Sequence, residues 1–260
     1  MDSENYLLQI LQKYQARDLS NSSPAISQLF SVLRTWANTG FIDLVISGSR
    51  AKGTAISLAS DVDYLVSLTN GCDENNGGLE YIYNSLFNTL NTTYQNVRKQ
   101  NVSIRINLSG LEIDVTPARK QPGNTNDHSL FVSKQGTWKK TNIQKHITDI
   151  SQSGRINEIK LVKIWRELNK LDFPSIYLEY LLVDVVLSGK SKGDNNIATN
   201  FLFALSELGR STNNPLLTRV VDPANSTNIL SDLLTSSEKN LIINKARESS
   251  QKSNWGYIVW

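Results

Sequence analysis

Residues 47–66 read SGSRAKGTAISLASDVDYLV. The β-branched run that precedes them, IDLVIS at 42–47, predicts a strand that ends at Gly48-Ser49. A second strand is predicted from Asp61 to Leu68. Because residues i and i+2 of a strand project to the same face, Asp61 and Asp63 project together. Two such carboxylates repel each other unless a cation neutralises them, and hard oxygen ligands of this kind suit magnesium.

The turn after the first strand has the composition of a phosphate-binding segment. Gly48 lets the backbone approach a ligand closely, and Ser49 offers a hydroxyl and an amide N–H near a predicted helix start. Arg50 and Lys52 follow in the same segment. They are interpreted either as further phosphate ligands or as surface charges around the turn.

A predicted β-hairpin supplies a third carboxylate. Residues 102–108, VSIRINL, alternate with period two, and residues 111–115, LEIDV, follow after Ser109-Gly110. Glu112 and Asp114 share one face of the second strand. If this strand lies beside 61–68, Asp114 joins Asp61 and Asp63, and three carboxylates can hold two metal ions about 3.5–4 Å apart. One ion would activate an attacking hydroxyl, and the other would neutralise a pyrophosphate leaving group.

The remaining pattern divides the chain into two parts. Helical spacing is predicted at 6–14, 26–36 and 79–90 around the strands, and after residue 140 the sequence turns to long helices, at 156–168, 176–187, 201–208, 227–234 and 238–249. We therefore predict an α+β protein. Residues 1–145 would form a mixed-sheet domain of four or five strands with N-terminal helices. Residues 146–260 would form an all-helical domain, with the active site in a cleft between the two lobes.

Composition excludes several function classes. The 27 Lys and Arg residues against 24 Asp and Glu give a net charge of +3, which excludes a histone-like arm or an acidic tail and does not favour a grip on long nucleic acid. The single cysteine, Cys72, fits a reducing compartment. The N-terminus carries acids where a signal peptide needs positive charge, and no apolar run reaches the length of a membrane span. A cytoplasmic protein is expected.

The ordered set Gly48-Ser49, Asp61-x-Asp63 and Asp114 resembles the signature of the nucleotidyltransferase superfamily related to DNA polymerase beta. Three later stretches are similar to segments of oligoadenylate synthases and bacterial CD-NTases. They are IKLVKIWRELNKLDFPSIYLEYLL at 159–182, VDPANSTNIL at 221–230 and WKKTNIQKH at 138–146. In the last of these Ile143 replaces the family's proline.

The resemblance implies a role for individual residues. It makes Asp61, Asp63 and Asp114 the ligands of two Mg²⁺ ions, which Mn²⁺ can replace, and Asp114 the base for the attacking hydroxyl. It assigns Gly48 and Ser49 to the triphosphate, Lys163 to the terminal phosphates and Ser175 to a phosphate contact. A base-stacking tyrosine usually follows that serine, but here Ile176 does, and Tyr177 is the next candidate.

The expected activity is template-independent transfer of nucleotides from nucleoside triphosphates, ATP among them, with release of pyrophosphate. The product would be a cyclic or short linear oligonucleotide used as an antiviral signal in bacteria. One alternative is transfer to another acceptor, such as a tRNA end, a protein or an antibiotic hydroxyl. Another is a catalytically silent nucleotide-binding scaffold.

Plain structural interpretations of the same residues stay open. Asp61 and Asp63 can be solvated acids at a strand edge. Lys163 can belong to a solvated helix face, where Lys160 is a neighbour, and Ser175 can cap the helix after Pro174.

Overall fold

The structure is a computed structural model that describes residues 2–19, 23–59, 61–71, 78–108 and 110–260. Cys72, Ser109 and most of the glycine- and asparagine-rich stretch after Asn70 lie outside the described residues. The chain forms two compact units, one of Arg17–Ala51 and Asp61–Ile147, the other of Met1–Ala16, Lys52–Ser60 and Thr148–Trp260. Compared with the division at 145/146 expected from the sequence, the first helix and the segment 52–60 group with the C-terminal helices.

The first unit, called the sheet unit below, is built on one mixed β-sheet. The described residues give seven strands in the order β1-β2-β5-β4-β3, with β6 paired to β5 and β7 paired to β6. The strands β2 and β5 run parallel, and the other pairs are antiparallel. The strands are β1 (Phe41–Ser47), β2 (Val62–Leu68), β3 (Arg98–Lys99), β4 (Ile104–Leu108), β5 (Leu111–Lys120), β6 (His128–Val132) and β7 (Thr137–Thr141). The helices of this unit are α2 (Ser23–Ala37), α3 (Gly48–Ala51) and α4 (Gly78–Thr93), and α5 (Ile143–Ser151) begins in it.

One face of this sheet carries the hydrophobic core of the unit. Val62 and Val66 of β2 are fully buried together with Leu29 and Leu33 of α2 and with residues of α4. Burial of each such aliphatic side chain stabilises the fold by about 1.5–3 kcal/mol. The period of two then turns Asp63, between Val62 and Tyr64, to the opposite face of the sheet.

The second unit, called the helical unit below, packs around a fully buried tryptophan. Trp165 has no exposed surface, and its Nε1 donates to Ser249 Oγ at 2.9 Å. The segment 52–60 joins this unit through Ser57, whose N–H donates to Tyr14 O at 2.8 Å. The helices are α1 (Ser3–Lys13), α6 (Ile156–Leu168), α7 (Ser175–Tyr180) with a π-helical continuation Leu181–Val186, α8 (Ile197–Leu208) and α9 (Ser236–Ser250).

The sequence prediction is wrong for residues 227–234, which are not a helix. The strands β8 (Val221–Asp222) and β9 (Asn225–Ile229) form a hairpin here, followed by a 3-10 turn at Leu230–Leu233. The cause is local, because the buried Asp222 carboxylate accepts from Ala224 N and from Asn228 Nδ2, each at 2.9 Å, and so holds a turn. The strands β3, β6 and β7 were not predicted either, so the seven strands of the described residues exceed the expected four or five.

None of the helices in the described ranges is long and apolar enough to cross a membrane.

Candidate active site

The parallel pairing of β2 and β5 brings the predicted acidic residues together. Asp63 and Asp114 are register partners on these two strands, and Asp61 lies two residues before Asp63. Register partners on neighbouring strands project to the same face of a sheet. Asp114 is buried, and Asp61 and Asp63 are half-buried. The predicted neighbourhood of the hairpin strand and the 61–68 strand is thereby confirmed.

The backbone of Gly48 lies directly against the carboxylate of Asp63. The antiparallel β1 ends at Ser47, opposite Asp63, and the chain turns at Gly48 into the short helix α3. Gly48 has a φ of +63°, and a β-carbon on it would lie 1.8 Å from Asp63 Oδ2. A side chain is therefore excluded at position 48 for two reasons, the backbone conformation and the space. Ser49 follows, half-buried, at the start of α3.

An arginine that we did not predict lies among the carboxylates. Arg105 on β4 is the register partner of Asp114. Its Nε and Nη2 donate to the two oxygens of Asp114 at 2.9 and 2.7 Å, which is a bidentate ion pair. The same Nη2 donates to Asp61 Oδ2 at 2.5 Å, and Nη1 donates to Glu112 Oε2 at 2.9 Å. One guanidinium thus bridges three carboxylates.

The signal for Arg105 was present in the sequence. The predicted two-residue turn at Ser109-Gly110 pairs residue 108 with 111, and counting back along the hairpin sets 105 opposite 114. The register of the predicted hairpin therefore specified an arginine beside the third aspartate.

The electrostatics of this cluster favour a charged guanidinium. Hydrogen bonding to Asp114 raises the pKa of Arg105 above its ordinary value, against the opposing effect of burial. Burial raises the pKa of Asp61, and the positive charge of Arg105 opposes that rise. Asp61, Glu112 and Asp114 carry up to three negative charges, of which Arg105 neutralises one, and the charge of Arg50 acts on Asp63. The cluster therefore keeps an attraction for cations.

The donor set fits a hard divalent cation in kind. Asp61 and Asp114 both bind the Nη2 atom of Arg105, so oxygens of two carboxylates already converge on one cationic position. In their present positions, no three His, Cys, Asp or Glu side chains of the described residues are grouped to hold a metal ion. The side chains of Asp61 and Asp114 are thus suited to a metal, and they are engaged by an arginine.

Lys163, predicted for the terminal phosphates, lies in the helical unit in a buried polar cluster. Its Nζ donates to Glu179 Oε1 at 2.6 Å and to Thr54 Oγ1 at 2.8 Å. Lys52 binds the other oxygen of Glu179. Glu179 and Thr54 are fully buried, and Lys163 is 2% exposed. The role of Lys163 toward phosphates stays a prediction.

The charges in this cluster affect one another strongly. Burial lowers the pKa of Lys163 to about 8, although Glu179 opposes that effect. Burial alone would raise the pKa of Glu179, but the ammonium groups of Lys52 and Lys163 outweigh it and hold this pKa at about 2. Sequence reasoning missed Glu179, and the available signal was an acid inside the otherwise apolar and aromatic run IYLEYLL.

The two predicted residues of α7 contact other parts of the helical unit. Ser175 is half-buried, and its Oγ accepts from Arg166 Nη1 at 2.9 Å. Tyr177 is fully buried, packs edge-on against Phe173 and donates from its hydroxyl to Leu216 O at 3.0 Å. Its ring offers no exposed face for stacking on a base, which corrects the expectation for Tyr177.

The other family-like stretches have local structural contacts. In 138–146, Asn142 Nδ2 donates to Asp127 Oδ1 at 2.8 Å, and Lys140 forms an ion pair with Asp127 Oδ2 at 3.1 Å. In 221–230, Asp222 organises the β8-β9 hairpin. Both stretches stabilise the unit in which they lie.

Comparisons with known proteins agree with this architecture. A family model described as SMODS, the Second Messenger Oligonucleotide or Dinucleotide Synthetase domain, matches residues 1–153. Over 243 residues the chain is 24% identical to the Cyclic AMP-AMP-AMP synthase of Escherichia coli (strain MS 115-1), with 79% of this chain and 74% of the relative covered.

Solved structures are similar over nearly the whole chain. The Bradyrhizobium diazoefficiens CD-NTase CdnG in complex with GTP matches with a TM-score of 0.75 and 12% identity, over 96% of this chain and 90% of that one. The Escherichia coli MS115-1 CdnC:HORMA-deltaN complex matches with a TM-score of 0.70 and 21% identity, over 95% and 89%. At these identities the similarity establishes the nucleotidyltransferase fold, as the resemblance implied. Because the family model covers more than half of the sequence, the chain belongs to the SMODS family of second messenger oligonucleotide or dinucleotide synthetases and is a nucleotidyltransferase.

Proposed function

We propose that this chain joins nucleotides from nucleoside triphosphates into a cyclic or short linear oligonucleotide, which serves as a second messenger in bacterial anti-phage defence. The observation that carries the proposal is the register partnership of Asp63 and Asp114, with Asp61 two residues away and the side-chain-free backbone of Gly48 against Asp63. This is an acidic site beside a glycine turn whose backbone carries no side chain.

The acidic residues would hold two Mg²⁺ ions, with Mn²⁺ as a substitute. Asp61, Asp63 and Asp114 are the proposed ligands. When bound, the metal supplies Lewis-acid activation of the attacking hydroxyl and neutralises charge on the triphosphate. The protein contributes the positions of the strands, because β2 and β5 hold Asp63 and Asp114 in register.

The transfer itself is a displacement at the α-phosphorus. A 2′- or 3′-hydroxyl oxygen of the acceptor nucleotide forms the new bond to phosphorus, and the bond to pyrophosphate breaks, so that pyrophosphate leaves with the electron pair. An oxygen of Asp114 accepts the hydroxyl proton. Gly48 and Ser49 would bind the triphosphate through backbone N–H groups and the serine hydroxyl, and Lys163 remains the proposed contact to the terminal phosphates.

ATP is proposed as one of the substrates. The relative from Escherichia coli is named for a product of three AMP units, and solved relatives hold ATP or GTP. We also propose that the enzyme acts in the cytoplasm, where nucleoside triphosphates are abundant. Free nucleotides are the proposed acceptors because the net charge of +3 gives little support to a long nucleic-acid groove.

The experiment is a product analysis. The purified chain is incubated with all four labelled ribonucleoside triphosphates and Mg²⁺ or Mn²⁺, and the products are treated with phosphatase and identified by mass spectrometry. The Asp61→Asn/Asp63→Asn double variant is the control. A phosphatase-resistant oligonucleotide made by the wild type alone supports a cyclic product, and a phosphatase-sensitive ladder supports a linear one. Failure of the folded wild type to join free nucleotides contradicts the proposal and points to a macromolecular acceptor.

A further inference from the structure

Arg105 engages the oxygens that the proposed function assigns to metal. Both oxygens of Asp114 accept from its guanidinium, at 2.9 and 2.7 Å, and so does Oδ2 of Asp61, at 2.5 Å. A guanidinium and a divalent cation seek the same lone pairs on a carboxylate. Occupation of these oxygens by Arg105 and coordination of an ion by them are therefore competing states.

The ion pairs of Arg105 can be broken at moderate cost. The side chain of Arg105 is 24% exposed, and those of Asp61 and Glu112 are 41% and 47% exposed, whereas that of Asp114 is 12% exposed, so the pairs with Asp61 and Glu112 are the weaker ones. Ion pairs that water reaches contribute little to folding stability. The side chain of Arg105 also has several rotatable bonds, so its guanidinium group can move into solvent while β4 stays in place.

The charge balance favours replacement of the guanidinium by a metal. Arg105 brings one positive charge to the carboxylates of Asp61, Glu112 and Asp114, and a divalent ion would bring two charges to the same oxygens. The arginine therefore does not exclude the metal, but it raises the concentration of metal ion that is needed to occupy the site.

We propose that Arg105 competes with the catalytic metal for Asp61 and Asp114. In the absence of metal the arginine binds both carboxylates, and the metal ion must displace it, so Arg105 sets the metal concentration that the enzyme requires. This inference rests on the proposed function, because it takes those two aspartates as metal ligands. It also links metal loading to catalysis, since release of Arg105 frees an Asp114 oxygen to accept the proton of the attacking hydroxyl. Arg105 is thus a positioning residue for the reaction.

The test measures metal binding directly, without nucleotide. Free Mn²⁺ is followed by electron paramagnetic resonance while the wild type and the variants Arg105→Gln, Arg105→Lys and Arg98→Gln are titrated. Arg98 is the exposed cross-strand neighbour of Arg105 on β3, so its variant removes the same charge one strand further from the carboxylates. Thermal unfolding verifies that each variant is folded.

The expected result is a graded gain in affinity. Arg105→Gln should bind Mn²⁺ about five- to tenfold more tightly than the wild type, because the competing ion pairs are gone. Arg105→Lys, which keeps the charge but loses the bidentate geometry, should fall between the two. Arg98→Gln should stay within about twofold of the wild type because its charge is exposed and screened. The Mn²⁺ concentration for half-maximal product formation should shift in the same order.

Two outcomes would overturn the inference, and they are distinguishable. If the wild type binds Mn²⁺ and makes product while Arg105→Gln binds the ion equally or more weakly, Arg105 is a structural ion pair and the proposed function stands. If the wild type does not bind Mn²⁺, or if Asp63→Asn binds it as well as the wild type does, the metal assignment fails, and both proposals fail with it.

Discussion

The backbone of Gly48 lies so close to the carboxylate of Asp63 that a β-carbon at position 48 would stand 1.8 Å from Oδ2 and 2.9 Å from Cβ of Asp63. Rotation of the short aspartate side chain cannot relieve both contacts. The position of Asp63 therefore depends on the absence of a side chain at Gly48, directly after the end of β1, so this glycine matters for the site as well as for the turn.

We expect Gly48→Ala to lower the rate of product formation by at least about tenfold, because it displaces Asp63, and to cost about 1–2 kcal/mol of stability for the positive φ. Gly136→Ala is the matched control, with a φ of +59° in the β6-β7 turn and open space around a β-carbon. It should lose only the stability that the positive φ costs, with unchanged turnover. Equal turnover of the two variants would contradict the assigned role of Gly48.

The acidic site was predictable because strand alternation is a short-range property. The period of two predicts that Asp61 and Asp63 share one face of their strand and that Glu112 and Asp114 share one face of theirs. The pairing of β2 with β5 is a long-range contact, which the sequence analysis could state only as a condition. The length of the hairpin turn also specifies the β4-β5 register, which places Arg105 opposite Asp114.

The contacts made by residues of the helical unit are harder to predict from the sequence, for a different reason. Helical periodicity says which residues share a face, and it does not say what that face packs against. Lys163 and Tyr177 were assigned to nucleotide, but Tyr177 is a core residue and Lys163 contacts the buried Glu179. The apolar spacing of 227–234 is compatible with a helix, but the turn that the Asp222 carboxylate holds favours the β8-β9 hairpin.

Loss of the buried carboxylate at Glu179 should destabilise the helical unit. Glu179→Gln leaves the ammonium groups of Lys52 and Lys163 without their shared counter-charge, so the free energy of unfolding should fall by about 3–5 kcal/mol at pH 7 in a urea titration. Glu248→Gln is the control, since Glu248 also contacts two lysines, Lys245 and Lys252, but is exposed, and it should change stability little.

The difference in stability between the wild type and Glu179→Gln should depend on pH. Because the pKa of Glu179 is lowered to about 2 in the folded state from an ordinary 4.5, its stabilising contribution is complete above pH 4.5 and is lost as the pH falls toward 2. The difference in stability between wild type and Glu179→Gln should therefore shrink from pH 7 to pH 3. A difference that stays constant over this range would contradict the assigned charge of Glu179.

The Asp222 turn should matter for stability and leave the chemistry unchanged. Asp222→Ala leaves Ala224 N and Asn228 Nδ2 without their acceptor in a buried turn, and we expect a loss of about 1–3 kcal/mol. Product formation per folded molecule should be unchanged at a temperature well below unfolding. Asn225→Ala, which removes exposed hydrogen bonds to Thr227 in the same hairpin, should cost less. A large loss of activity in folded Asp222→Ala would instead assign this stretch to the site.

The most direct test of the central claim is pyrophosphate release from nucleoside triphosphates by the wild type, Asp63→Asn and Asp43→Asn at saturating Mg²⁺. Asp43 is an exposed aspartate on the neighbouring β1, so its variant makes the same chemical change outside the acidic site. The account predicts that the wild type and Asp43→Asn release pyrophosphate at similar rates and that Asp63→Asn is at least about a hundredfold slower while still folded. Release by Asp63→Asn at the wild-type rate would show that the carboxylates of β2 and β5 do not carry the reaction.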